Sequence, residues 1–284
     1  MRPAVPALIT AAAVAAGLGL SVAAPASAVH EELEVTGLTQ NNRLVTFLAG
    51  TPGDITSTVK VRGLGGDLLG IDYRPLTGQL YGVVRAGDGT GSFVIIDDAT
   101  GQVLSSTALV TGGVPVVLSG TSFGVDFNPA ADALRIVSDS GQNLRVLPSD
   151  RAAGVIGTTF VDGALTPGDL AVTAAAYTNS DNDPATGTAL YDPSAATDGL
   201  FLQNPPNNGA LVAVGAGLGL PVGEKAGFDI YTEGTANIAL VSLVDRGRTT
   251  ISVLDLTTGA VNPASTMTVG TNPAVVDIAI PTQQ

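Results

Sequence analysis

Short apolar runs carrying a single acidic residue recur along the chain. Phe123-Gly124-Val125-Asp126-Phe127-Asn128-Pro129 leads into Ala133-Leu134-Arg135-Ile136-Val137-Ser138. Leu69-Gly70-Ile71-Asp72-Tyr73-Arg74-Pro75 leads into Gln79 to Val84, and Ala226-Gly227-Phe228-Asp229-Ile230-Tyr231 into Asn237 to Ser242. A weaker copy is Ala174 to Asn179, followed by Thr188 to Tyr191. A last copy, Val276-Asp277-Ile278-Ala279-Ile280-Pro281, ends the chain. The copies lie about 50 residues apart, the period of a propeller or a stacked array.

Each unit reads as four strands. The Asp-bearing run comes first, then a turn such as Arg74-Pro75-Leu76-Thr77-Gly78, then Leu80 to Val84. Phe93 to Ile96 is a third strand, and Asp97-Asp98-Ala99-Thr100-Gly101 turns into a fourth, Val103 to Ala108. Ile251 to Val261 is expected to repeat this third-strand, turn and fourth-strand pattern. β-branched runs between Gly, Pro and Asp turns are the all-β signal, and no 3.6-residue period is sustained beyond residue 28.

The two ends complement each other. Leu33 to Thr36, Arg43 to Phe47 and Ile55 to Val61 read as a unit lacking its first strand, and Val275 to Ile280 as a first strand lacking the rest. Joined, they close a ring and protect its edges, which predicts an all-β, five-bladed β-propeller sealed by the C-terminal strand pairing with the N-terminal strands.

Residues 1–28 read as a secretory signal. Arg2 gives a positive start, Ala11 to Ala24 an apolar run, and Ala26-Ser27-Ala28 a small-residue cleavage pattern. The expectation is an extracellular chain cut near Ala28, residues 29–284 forming one propeller domain, with no membrane span in the mature protein.

Composition narrows the chemistry. The 25 acidic and 12 basic residues give a net charge of −13, which argues against nucleic acid as a partner. A small molecule, a glycan or another protein remains as partner. The absence of cysteine removes disulfides, thiolate metal sites and a Cys nucleophile, and His30 is the only histidine.

Asp72, Asp126, Asp229 and Asp277 are read as one repeat position, broken by Ala176 in the third unit. A carboxylate on an innermost strand needs donors or a cation. Two readings follow: ligand-binding oxygens converging on the channel, where calcium is the cofactor to consider, or caps that fix the angle between blades. Arg135 and Arg145 are candidates to neutralise the ring, or side chains lying along their own sheets. Asp181-Asn182-Asp183 lacks the spacing of a calcium loop. Gly120-Thr121-Ser122-Phe123-Gly124 matches G-x-S-x-G, but a strand rather than a helix follows and no histidine lies downstream.

The stretches Leu69 to Leu80, Gly120 to Arg145, Thr173 to Asn179 and Leu200 to Gly215 resemble domain-of-unknown-function family 4394, a group of secreted bacterial proteins. The resemblance implies a propeller-like β-repeat and no particular activity. The expectation is a binding or scaffold module with its ligand at a mouth of the channel. The alternative is a carboxylate-based, calcium-using extracellular hydrolase or lactonase, disfavoured by the absence of Trp for sugar stacking.

Overall fold

The computed structural model describes residues 32–148, 155–271 and 274–282. The signal-like segment and His30 lie outside the described residues.

Five four-stranded antiparallel sheets form the blades of a propeller. From the channel outward, the second blade runs Asp67–Arg74, Gln79–Arg85, Gly91–Asp97 and Gln102–Ala108. The third is Phe123–Asn128, Ala133–Ser138, Asn143–Val146 and Thr159–Val161. The fourth is Ala176–Tyr177, Leu190–Ser194, Gly199–Gln203 and Leu211–Val214. The fifth is Ala226–Glu233, Ala236–Asp245, Arg248–Leu254 and Met267–Thr268. A two-stranded hairpin, Val110–Thr111 with Val114–Pro115, follows the second blade.

The first blade is built from both ends of the chain. Its innermost strand is Val275–Ala279, and Glu34–Thr39, Arg43–Leu48 and Ser57–Lys60 follow outward. Thr36 pairs with Ala279 and Gly37 with Ile278. The closure expected from the complementary ends is therefore the one observed.

One strand falls elsewhere than expected. Ala260-Val261 makes only a bridge from Val261 to Leu254, and the fourth strand of the fifth blade is Met267–Thr268. Pro263 has no amide to donate, and the Asn262 side chain accepts the Ala264 amide to start a 3-10 turn. The chain must pass this turn before it can rejoin the sheet.

Apolar side chains fill the spaces between blades. Tyr81 of the second blade meets Phe127 of the third edge-on, with ring centroids 5.0 Å apart. Burying a side chain of this size stabilises by about 1.5–3 kcal/mol. Polar ties cross the same seams. Arg74 of the second blade pairs with Asp132 of the third at 2.5 Å, and the Tyr73 hydroxyl lies 3.0 Å from the Thr36 hydroxyl of the first while donating to Asp98 of its own blade at 2.7 Å. Gly101 closes a turn at φ 74, and a Cβ there would lie 2.3 Å from the Lys60 carbonyl, so that blade-to-blade crossing requires glycine.

Candidate functional site: two ends of one channel

Four of the five innermost strands hand a carboxylate to a neighbouring blade. Asp72 accepts the amide of Phe127 at 2.7 Å, and Asp126 that of Tyr177 at 2.9 Å. Asp229 accepts the amides of Ile280 at 2.5 Å and Ile230 at 2.6 Å. In every case the accepted amide on the next blade belongs to the residue after Asp126, Ala176 or Ala279. Those residues, with Asp72 and Asp229, make one level of the channel.

Asp277 is not on that level, which corrects the reading of the four aspartates as one repeat position. It accepts the amide of Ile71, the residue after Gly70, at 2.8 Å. A Cβ on Gly70 would sit 2.9 Å from its Oδ2, and one on Gly227 would sit 2.6 Å from its Cα. Asp277 therefore shares a level with Gly70, Gly124, Ala174 and Gly227. The displacement is two residues. Side chains on a strand alternate with a period of two, so the hydrophobic pattern reads the same before and after such a shift.

Asp72, Asp126 and Asp229 converge. One carboxylate oxygen from each lies within 4.8 Å of the others. They are 6%, 4% and 6% exposed. Burial raises all three above the ordinary carboxylate range, and the neighbouring carboxylates push Asp72 and Asp126 further up. Asp229 is pushed up to about 7, with the Ile280 and Ile230 amides holding it down. Asp277 is also raised by burial. Among the described residues no Lys or Arg side chain pairs with the trio. Three such groups suit either shared protons or one hard cation with oxygen ligands.

The trio opens toward the end of the channel where the inner strands finish. The gap there is about 20 Å³ and is flanked by Asn179, Ser180 and Thr282. It admits a water or an ion and excludes a sugar ring.

The other end is wide. Where the inner strands begin, a cavity of about 350 Å³ lies over the channel. All five blades or their entry loops reach it, through Gln40, Arg85, Ser122, Thr173 and Lys225 among others. Arg85 donates to the Gly120 carbonyl at 2.7 Å and lies over the Phe123 ring, 5.6 Å from its centroid. Lys225 donates to the Thr121 carbonyl at 3.0 Å. Thr173 is 2% exposed and its hydroxyl has no hydrogen-bond partner.

The remaining expected features take structural places. Arg135 is 2% exposed; it donates to Asn143 and Asp162 within the third blade and to Asn207 and Tyr177 of the fourth across the seam between them. Arg145 pairs with Asp162 and stacks on Phe160 at 4.3 Å, so neither arginine neutralises the aspartate trio. Ser122 donates to the Glu224 carbonyl and is followed by a strand, as its rejection as a nucleophile requires. Asp181 and Asp183 are exposed and accept amides within their own turn. Along the same seam, Asp192 is wholly buried with neither oxygen partnered, and burial raises its pKa.

The model of a domain of unknown function, DUF4394, matches residues 43–279. The chain belongs to the DUF4394 family. No curated protein matches it. Solved structures resemble this family member at low identity. A candidate 6-phosphogluconolactonase from Bacteroides uniformis is 13% identical at a TM-score of 0.44, over 82% of this chain and 81% of that one. The Dos1 propeller is 8% identical at 0.41, over 84% of this chain and 63% of that one. Dihydro-heme d1 dehydrogenase NirN, in complex with DHE, is 13% identical at 0.31, over 82% and 53%. Among the described residues of this DUF4394 chain, no helix is long and apolar enough to cross a membrane.

Proposed function

We propose that this propeller is an exported binding module that takes a small polar ligand at the wide mouth of its channel. The observation that carries the reading is the cavity of about 350 Å³ there, to which every blade contributes. That volume falls in the range of small-molecule sites, and loops converging from a rigid scaffold are where such sites form. The export half of the reading rests on the signal-like pattern of residues 1–28.

Binding is favoured over hydrolysis by the paired carboxylates. Asp72, Asp126 and Asp229 sit behind a gap of about 20 Å³, which keeps a glycoside or lactone out of their reach. A second reading concerns the trio itself: it holds a calcium ion that pins three blades together. The convergence of three buried carboxylates without a cationic side chain favours it.

Gln40 is exposed at the rim of the wide mouth and offers a way to block it. Screening polar fragments by NMR is expected to shift resonances of Arg85, Thr173 and Lys225, and Gln40→Trp is expected to abolish those shifts without changing the fold. Shifts confined to other surfaces would remove the reading.

A further inference from the structure

The wide mouth carries charges of both signs that do not pair with one another. Arg85 and Lys225 line it, and so do Asp67 and Glu224. No ion pair joins any two of these four residues. Instead both cations are anchored to consecutive carbonyls, those of Gly120 and Thr121. Asp139, which bonds Thr121 from behind, also feels the Lys225 charge.

Anchoring one donor of each cation leaves others free. A guanidinium has five N–H donors and an ammonium three. The Arg85 head is held in place by its carbonyl bond and by the Phe123 ring beneath it, so its remaining donors need little ordering on binding. The acids lie at the start of an inner strand, Asp67, and in the loop before another, Glu224. Both are exposed. The partnerless Thr173 hydroxyl adds a donor and acceptor that is nine-tenths withdrawn from water.

This charge pattern selects among guests. A simple anion gains from Arg85 and Lys225 but is opposed by Asp67 and Glu224. A simple cation meets the reverse. A neutral polyol uses none of the four charges. Only a guest with both charges on a short frame is favoured at each.

We infer that the wide mouth binds a small zwitterion bearing one amino and one carboxylate group. The carboxylate seats on Arg85 and Lys225, the amino group faces Asp67 and Glu224, and the Thr173 hydroxyl bonds the guest between them. This rests on the wide-mouth reading above and narrows it to a ligand class.

The test is titration calorimetry of the full chain with four probes at one ionic strength: L-alanine, acetate, ethylamine and glucose. L-Alanine is expected to bind at least tenfold more tightly than each of the other three. Lys225→Met and Arg85→Gln are expected to weaken alanine at least tenfold, and Glu224→Gln by a smaller factor. Arg85 also supports Gly120, so Lys225→Met is the decisive variant if Arg85→Gln melts early. Acetate or glucose binding as well as alanine, with the loss still seen in Gln40→Trp, would overturn the zwitterion while leaving the mouth as the site. No binding by any probe, or binding untouched by Gln40→Trp, would overturn both.

Discussion

Asp229 joins the fifth blade to the first: its Oδ2 accepts the amide of Ile280 at 2.5 Å, across 51 positions of sequence. The same carboxylate accepts the Ile230 amide on its own strand. It thereby satisfies two buried donors at the seam between the fifth and first blades, and contributes to the carboxylate trio from the same position.

Asp229→Ala removes both acceptors at once. An unsatisfied buried donor costs about 1–3 kcal/mol. The variant is expected to lose at least that much in urea denaturation at pH 7, with an unchanged m-value. Asp229→Asn keeps one acceptor and is expected to lose less.

Stability should fall as pH rises from 5 to 8 in the absence of divalent ions. Asp72, Asp126, Asp277 and Asp192 are raised by burial, and Asp229 is raised to about 7. The folded state therefore holds protons that the unfolded chain, titrating near 4, has released. Their contribution is full below the unfolded value and is lost as pH climbs through the folded ones. Asp139, held low by its bonds to Thr121 and Ser122 despite partial burial, acts oppositely and only at the acid end. Melting followed by circular dichroism is expected to give a higher Tm at pH 5 than at pH 8, and Asp229→Asn a flatter profile.

Calcium should oppose that trend. A cation on the trio displaces the shared protons, so it stabilises more where fewer protons compete. At 100 times its Kd a ligand adds about 2.7 kcal/mol, and each kcal/mol moves Tm by about 2–4 °C for a domain this large. The increment on adding calcium is expected to be larger at pH 8 than at pH 5.5 and absent in Asp126→Asn. An identical melt with calcium and with EDTA at pH 8 would end the calcium reading.

Close approach of the inner strands sets a further test. A Cβ on Gly124 would lie 2.5 Å from the Ala174 carbonyl carbon and the Ala175 amide nitrogen, both backbone atoms that cannot swing aside. Gly124→Ala is expected to cost about 1–3 kcal/mol, the usual range for overpacking. Gly65→Ala meets nothing within 4 Å and is expected to change stability by less than about 0.5 kcal/mol.

The repeat, its closure and the number of blades were legible because each depends on strand-length apolar runs and turn residues, which a single sequence displays. The weak copy that opens the fourth blade was legible too: its inner strand is only Ala176–Tyr177. Asp277 was misplaced because a two-residue slide preserves the face of every side chain. The Met267–Thr268 strand was missed because Val261 sits at the expected spacing and only Pro263 signals otherwise. The wide mouth was invisible for a different reason. Asp67, Arg85 and Lys225 stand at strand ends in unlike sequence contexts, and only the ring brings them within reach of one ligand. Their placing shortly before the repeated inner strands, Asp67 five before Asp72 and Lys225 four before Asp229, was the one available hint.

The inner strand of the first blade, Val275–Ala279, is the last strand in chain order among the described residues. Until Val275–Ala279 leaves the ribosome, Glu34–Thr39 has no partner on its channel side, and the Asp229 carboxylate has no Ile280 amide to hold. A nascent chain that has not yet released Val275–Ala279 is thus an open arc whose free edge invites another strand. Closure of the ring waits on Val275–Ala279, so losing that strand would bare the channel-side edge of Glu34–Thr39.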